Sequence, residues 1–287
     1  MAEKGDHLRG KYDLTKILET PQGKRQFNEY HFTVSAPHYD FVTRALSFGQ
    51  DNKWKRMMVE MLPSWPSPFC CDLACGTGDL TLALAEKYPN GHVVGLDLTQ
   101  AMLDLAHKRH VPHHVKFQRS DMVSLPYPNE SVDIVTGGYA LRNAPDLPLV
   151  LDEIYRVTKP GGMAAFLDFS KPKNKALQTL QVLLLKIWGS LWGLLLHGDP
   201  RIHGYISASL KTYPNRDQIQ TLLTNHGFDI VMTRRFFFGI TEIITIQKEN
   251  LIGSARGKPA RASRALKATH NEISENAPFP TSRSIAT

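Results

Sequence analysis

Cysteine is scarce in this 287-residue chain: there are three, Cys70, Cys71 and Cys75, all inside one short stretch. So few, so close together, they build no disulfide framework. Cys-Cys-x3-Cys also lacks the fourth ligand and the spacing of a zinc site. They read as small packing residues in a reducing compartment, and no metal is expected. Also missing is the Gly-Lys-Ser/Thr that closes a phosphate-cradling P-loop. No Asn/Asp-Pro-Pro-Tyr segment and no basic stripe marks the folded part, which speaks against nucleic-acid or protein substrates. Met1 to Gly10 is polar, neither a secretory leader nor an Arg-rich presequence, so a cytoplasmic location is expected. An unbroken membrane-length apolar run is lacking too. Residues 176–197 come nearest, but Lys186 sits at their centre and two glycines and two glutamines interrupt them. A central lysine costs roughly 2.5–3.5 kcal/mol on insertion scales. The run therefore reads as part of a helical lid over about 174–212, covering something greasy.

Charge is unevenly placed. The chain carries a formal +7, and residues 251–287 hold four of those charges, with six Lys/Arg against Glu272 and Glu275. That stretch reads as a basic, disordered tail. Residues 1–26 read as a mobile lead-in with a short helix near Leu14 to Leu18. The apolar points Phe41, Val42, Leu46, Trp54, Met57, Met58 and Met61 then predict helices between Phe27 and Met61. Beyond Pro63, Pro66 and Pro68, strands near 69–73, 92–97, 114–118, 132–137 and 162–168 alternate with helices near 79–87, 99–109 and 147–157. A helix near 216–226 and strands at 228–234 and 241–247 close the domain. This alternation predicts an α/β fold with a doubly wound, mostly parallel sheet, within a domain spanning 27–250.

What is present centres on Asp72-Leu-Ala-Cys-Gly76-Thr77-Gly78-Asp79-Leu80, a strand, a glycine turn and a helix start. Such a turn brings backbone N–H groups and a helix N-terminus to a nucleotide-like ligand. Thr81 stands where a dinucleotide fingerprint wants Gly or Ala, which speaks against NAD. Acids, not lysines, accompany the turn: Asp72 before it, and Asp97 at the end of the next strand, followed by Leu98. That suits a cationic, phosphate-free nucleoside such as S-adenosylmethionine. Asp97 can accept from both ribose hydroxyls, or cap the helix from Thr99. Asp121 can take an adenine amino proton or act as an N-cap, with Met122 on the adenine face. Gly137 and Gly138 leave room beside the ligand.

Taken with Tyr39-Asp40, Ser47-Phe48-Gly49, Trp54-Lys55-Arg56, Tyr139-Ala-Leu-Arg142-Asn143, Ile154-Tyr-Arg-Val-Thr-Lys-Pro-Gly-Gly162 and Phe169-Ser-Lys-Pro172, the chain resembles the UbiE-like family. These are class I S-adenosylmethionine-dependent C-methyltransferases of ubiquinone and menaquinone biosynthesis, and the likeness spans about 30–248. The resemblance implies cofactor contacts at Thr77, Asp97, Asp121, Met122 and Gly138, where Gly138 replaces a usual serine. It implies Arg142, Asn143 and Tyr39 beside the acceptor. His197 and His203 are the candidate bases. His203-Gly-Tyr-Ile-Ser-Ala-Ser209 and Arg235-Phe-Phe-Phe-Gly239 depart from the family pattern. These departures favour an apolar aromatic, polyketide or prenylated acceptor methylated at carbon or oxygen, with a non-methylating cyclisation or a quinone precursor proper as alternatives. No nucleic-acid partner is expected; membrane or biosynthetic-complex contact and a homodimer are left open.

Overall fold

The computed structural model describes residues 14–199 and 201–250, with the side chains of 14, 15, 197 and 201–204 excepted. Helices α1 (Leu14–Glu19), α2 (Pro21–Ser35), α3 (Tyr39–Leu46) and α4 (Asp51–Glu60) precede the sheet. The core then runs β1 (Phe69–Leu73), α5 (Asp79–Lys87), β2 (His92–Asp97), α6 (Gln100–His107), β3 (Val115–Arg119), β4 (Val132–Gly138), α7 (Ala140–Asn143), α8 (Leu147–Val157) and β5 (Thr158–Phe169). Next come α9 (Lys175–His197), α10 (Arg201–Thr212), α11 (Arg216–Asn225), β6 (Phe228–Phe236) and β7 (Thr241–Lys248). The strand order is β3-β2-β1-β4-β5-β7-β6, with β7 antiparallel to both neighbours and the other pairings parallel. The expected doubly wound, mostly parallel sheet is what the chain forms.

Both faces of the sheet are covered, which is why its central strands read as continuous apolar runs. One layer packs Leu73, Val135, Phe166, Leu151, Ile154 and Leu223. The other packs Trp54, Met58, Leu80, Leu84, Ile134 and Leu167. Cys70 and Cys71 are wholly buried in these layers, and burial pushes the Cys70 thiol up to about 12, as inert packing residues require.

The short helix expected near Leu14 to Leu18 is α1, and α2 follows it directly. Thr20 caps α2 through Gly23 N–H, and Pro21 starts the helix with its φ already set. Leu18 and Phe27 pack against Tyr205 and Ile206 of α10, so apolar burial holds this end of the chain. The tail at 251–287 lies outside the described residues, as does the segment before residue 14.

Asp72 is completely buried. Its two carboxylate oxygens accept from Thr81 Oγ1 of α5 at 2.7 Å and Thr136 Oγ1 of β4 at 2.9 Å. One side chain thereby fixes β1, β4 and α5 to each other at the turn. Thr81, the residue that breaks the dinucleotide fingerprint, is one half of that clamp. Burial pushes the Asp72 carboxyl up to about 6, although both hydroxyls pull it down. A raised carboxyl pKa means the folded state holds its proton to higher pH than the unfolded chain. Its ionisation then costs stability as pH rises between about 4 and 6. Asp72→Asn should therefore gain thermal stability relative to the parent as pH is raised from 4 to 7. A melting-temperature difference that is flat across that range would show that the carboxylate is not a strained charge.

Candidate functional site

A cleft opens at the carboxyl ends of β1, β2 and β4, lined by the turn at Ala74 and Gly76, by Leu96 to Thr99, by Ser120 to Met122 and by Gly138. Gly76 sits at φ +55 and Gly78 at φ +86, both in the left-handed region open to glycine. A Cβ at Gly78 would come within 2.7 Å of the Phe117 ring, so this residue is required by packing as well as by backbone.

Asp97 is 9% exposed and lines the cleft. Its Oδ2 accepts the Gly76 N–H at 2.9 Å and its Oδ1 the Thr99 N–H at 2.8 Å. The carboxylate shapes the turn and faces the cleft, where it can also accept from a ligand hydroxyl. Burial raises its pKa against the pull of those N–H groups. Leu98 and Met122 lie in the same wall. Asp121 accepts from Val123 N–H through Oδ1 and pairs through Oδ2 with Arg25 Nε at 2.6 Å.

Two expected cofactor residues sit behind the cleft. Asp72 is sealed by its two threonines. Thr77 donates its hydroxyl to Asp40 Oδ1 at 2.6 Å, so it ties the turn to α3. Both border a small side pocket with Lys55, Asp79 and Tyr139, which joins the cleft at Tyr39, Ala74 and Gly138. Lys55 is buried there between Asp51 (2.6 Å) and Asp79 (3.2 Å), which raise its pKa in spite of burial. The space at Gly138 is open enough that a Cβ would meet ordinary contact, 3.8 Å from Lys55 Cε.

A second, apolar chamber of about 400 Å³ adjoins the cleft, and the two share Phe32, Tyr39 and Asn143 as walls. Arg142 lines the chamber and is 3% exposed. Its N–H donates to Asp168 Oδ2 at 2.8 Å, its Nε lies 3.7 Å from Asp168 Oδ1, and its Nη1 donates to Ser209 Oγ. The guanidinium rests on Phe169 and Tyr205, 5.2 and 5.4 Å from their ring centres. Asn143 accepts from Tyr205 Oη at 3.2 Å, donates to Tyr139 O, and takes Asn28 Nδ2 on its own carbonyl at 2.7 Å. Residues of α9 and α10, including Trp188 and Tyr205, form one side of the chamber.

Several buried polar atoms at these walls have no hydrogen-bond partner among the described residues. Asn28 Oδ1 borders the cleft; Ser35 Oγ, Arg142 Nε, Gln181 Oε1 and Trp188 Nε1 border the chamber. Buried polar groups left bare cost about 1–3 kcal/mol each, so they mark where a polar part of a ligand belongs. Among the described residues, no group of three or more His, Cys, Asp or Glu could hold a metal ion.

Comparison with known proteins follows the same line. The pattern of the ubiE/COQ5 methyltransferase family matches residues 23–248. The chain belongs to that family. It is accordingly an enzyme, a methyltransferase of the S-adenosylmethionine-dependent class. A demethylmenaquinone methyltransferase of Lactobacillus johnsonii is 36% identical over 224 residues, covering 76% of this chain and 91% of the relative. A 2-phytyl-1,4-naphtoquinone methyltransferase of Synechococcus elongatus is 34% identical over 221 residues, covering 75% and 94%. In fold, the chain is similar to a Haloferax volcanii methyltransferase solved with the Trm112 activator (TM-score 0.59, 16% identity, 76% of this chain and 98% of that one). The cyclase SpnF is similar too (TM-score 0.54, 17% identity, 69% and 81%), so the fold by itself does not choose the reaction.

Sequence reasoning missed Arg25, Asn28, His31 and Lys55. Lys55 stood inside the quoted Trp-Lys-Arg element, a signal that pointed to the family and not to a role. His31 carried no motif, yet it is buried, lines the chamber and lies 4.0 Å from the Tyr205 ring centre. His197 and His203 belong to α9 and α10, but their side chains fall outside the described residues.

Asp97→Ala should weaken S-adenosylmethionine binding by about 100-fold or more, from two charge-assisted hydrogen bonds worth roughly 1.5–3 kcal/mol each. Calorimetric titration, with circular dichroism to confirm folding, reads this directly; an unchanged affinity removes Asp97 from the ribose.

Proposed function

We propose that the chain methylates a ring carbon of a prenylated 1,4-naphthoquinone taken in its reduced, hydroquinone form; its relatives are named for demethylmenaquinone and 2-phytyl-1,4-naphtoquinone. The observation that supports this most is the shared wall of Phe32, Tyr39 and Asn143, where a cleft bordered by Asp97 and Asp121 meets an apolar chamber. Expectation from the departing segments 203–209 and 235–239 favoured other apolar acceptors. Relatives at 34–36% identity over three quarters of the chain shift the reading to a quinone precursor.

The cleft fits S-adenosylmethionine on this structure's own features. Asp97 and Asp121 would hold ribose and adenine, Gly76 admits close backbone approach, and the bare Asn28 Oδ1 supplies a further acceptor. Lys55 would face the carboxylate end from the side pocket, with the Asp72 charge behind it. When bound, S-adenosylmethionine supplies a methyl group on a sulfonium, reactive without further activation. The protein's task is to orient the acceptor and keep water out, and alignment is worth about 7–11 kcal/mol in well-ordered systems.

A hydroquinone carbon becomes a strong nucleophile once its hydroxyl loses a proton. Among the described residues lining the chamber, His31 carries the only imidazole, the side chain best suited to take that proton near neutral pH. Arg142 stabilises the oxyanion left behind, and Asn143 orients its oxygen. After methylation the ring proton at the same carbon departs and the oxygen that had been deprotonated regains one as the ring rearomatises, so a single proton leaves overall. His31 and Arg142 both rest against Tyr205, which puts base and cation beside one ring.

Incubation with methyl-labelled S-adenosylmethionine and a reduced 2-prenyl-1,4-naphthoquinone should yield S-adenosylhomocysteine and a ring-methylated product. A methyl ether, or consumption of the acceptor without S-adenosylhomocysteine, would exclude C-methylation. Arg142→Lys keeps a charge opposite Asp168 but loses the planar fork. It should lower kcat by about 100-fold with S-adenosylmethionine affinity nearly unchanged. His31→Gln should abolish the acidic limb of the kcat/KM profile. Burial and the nearby Arg142 pull the Lys24 amine down to about 8, which makes it the competing titration. A Lys24→Met variant that alone removes the limb would transfer the role away from His31.

A further inference from the structure

The 23-residue helix α9 turns its apolar stripe outward. Leu177, Leu180, Leu184, Ile187, Leu191 and Leu194 recur at helical spacing, and all are exposed, Ile187 by 59%. Its inner side holds Gln181, Gly189 and Gly193, all buried, with Val182 and Leu185 half-buried against the core, so the larger apolar stripe is the one that faces away from the domain. The stripe continues onto neighbouring aromatics. Phe41 packs on Trp192 at 5.4 Å between ring centres, Phe48 stacks on Trp188 at 5.8 Å, and Phe48 meets Phe237 at 5.9 Å. Phe48 is 69% exposed, and Phe238 is fully exposed on a turn whose φ of 55 holds it in the left-handed region. One surface with so many large apolar side chains in water needs a cover.

The position of this face identifies the cover. Phe48, Leu184, Ile187 and Phe237 are exposed and at the same time line the acceptor chamber. Whatever covers the face also covers the chamber's mouth. A rigid protein cap or a second copy would seal the route, whereas hydrocarbon chains leave it open to an apolar acceptor. Charge agrees: α9 has no acid, and its two lysines, Lys175 and Lys186, are exposed, as is Arg44 on α3. By length and composition α9 is apolar enough to cross a bilayer, but its inner edge packs on the domain: Gln181 Nε2 donates to Ser170 O at 2.9 Å, and Trp188 stands in the chamber wall. A helix held in that way lies along an interface.

We propose that the outer face of α9, with the rim formed by Phe48 and Phe238, docks on an anionic lipid surface. The chamber mouth then opens into the acyl layer, so that an apolar acceptor enters and leaves without crossing water.

The test is co-sedimentation of the full chain with phosphatidylcholine vesicles, with and without phosphatidylglycerol. Binding should be strong on anionic vesicles and weaken with salt. Leu180, Leu191 and Leu194 lie outside the chamber wall; changing all three to Gln should cut partitioning at least about tenfold. Turnover of a soluble, short-chain naphthohydroquinone should stay at the parent level, and methylation of a long-prenyl acceptor held in vesicles should fall with binding. Failure of the parent chain to sediment with anionic vesicles overturns the proposal, as does equal binding by the triple variant. A stable dimer that the triple variant converts to monomer, without vesicle binding by either, assigns the face to a second copy and also overturns it. Because vesicle binding is read without turnover, these outcomes do not depend on the identity of the acceptor.

Discussion

The geometry of the site depends on a charge kept where water cannot reach it. Asp72 sits at zero exposure and is neutralised by no cation in hydrogen-bond contact; two threonine hydroxyls hold it. Each bond reaches a different element, so the end of β1, the middle of β4 and the first turn of α5 cannot shift separately. Low local dielectric strengthens those bonds and makes any lapse in them expensive. The turn at Gly76 to Gly78 springs from this clamp, and Asp97 then reaches across from β2 to fix the Gly76 N–H. Two carboxylates in series thus set a backbone shape that glycine alone would leave loose. The energy cost of burying Asp72 is met by the rigidity it gives to the turn.

The appended helices are the second half of the construction. Hydrogen bonds and ion pairs run from them into the loops of the sheet: Arg25 to Asp121, Asn28 to Asn143, Asp40 to Thr77 and Asp51 to Tyr139. Three of them join a helix before residue 61 to a connection at the carboxyl end of a strand, and Asn28 reaches α7 just beyond one, where an α/β sheet places its ligands. The cleft is therefore a composite of two parts of the chain, one forming its floor and the other closing it from the side. Asn143 stands at the centre of this closure. It touches α2 through its carbonyl, α10 through its side-chain oxygen, and the β4–α7 turn through its amide.

This division explains what the sequence discloses and what it conceals. The order of strands and helices was legible because alternation and apolar runs are local signals, and every core strand falls within a few residues of its expected place. Asp97, Asp121, Arg142 and Asn143 were legible because each sits in a motif at a strand end, and all four border the cavities. Asp72 and Thr77 were legible as conspicuous residues, but what their side chains touch was not. A motif records that a residue type is needed and leaves open whether it meets a ligand or a neighbour. Arg25, Asn28 and His31 were hidden because their partners lie far along the chain; Asn28 meets Asn143 across 115 residues. Nothing in the local pattern of α2 distinguishes a helix that closes a cleft from one that merely precedes a domain.

The acceptor chamber shows how a buried cation can be kept ready. Arg142 has Asp168 beside it, Ser209 on one terminal nitrogen, and aromatic rings of Phe169 and Tyr205 against its plane. Burial works against its charge, and Tyr205 and Asp168 outweigh that effect, so the guanidinium stays charged in a dry wall. A pair of opposite charges at 3.7 Å in such surroundings adds little net stability, since desolvation offsets most of the attraction. Those contacts leave a fixed donor array in the chamber wall, already withdrawn from water by the protein itself. The bare Nε beside that array marks the capacity left over once the protein's own contacts are counted. The burial of Arg142 goes with an apolar enclosure, and α9 contributes Leu185 and Trp188 to it while most of its other leucines are turned out. The outward stripe is thus the far side of the wall that keeps water from Arg142, and the exposed apolar face and the buried cation are two consequences of one requirement.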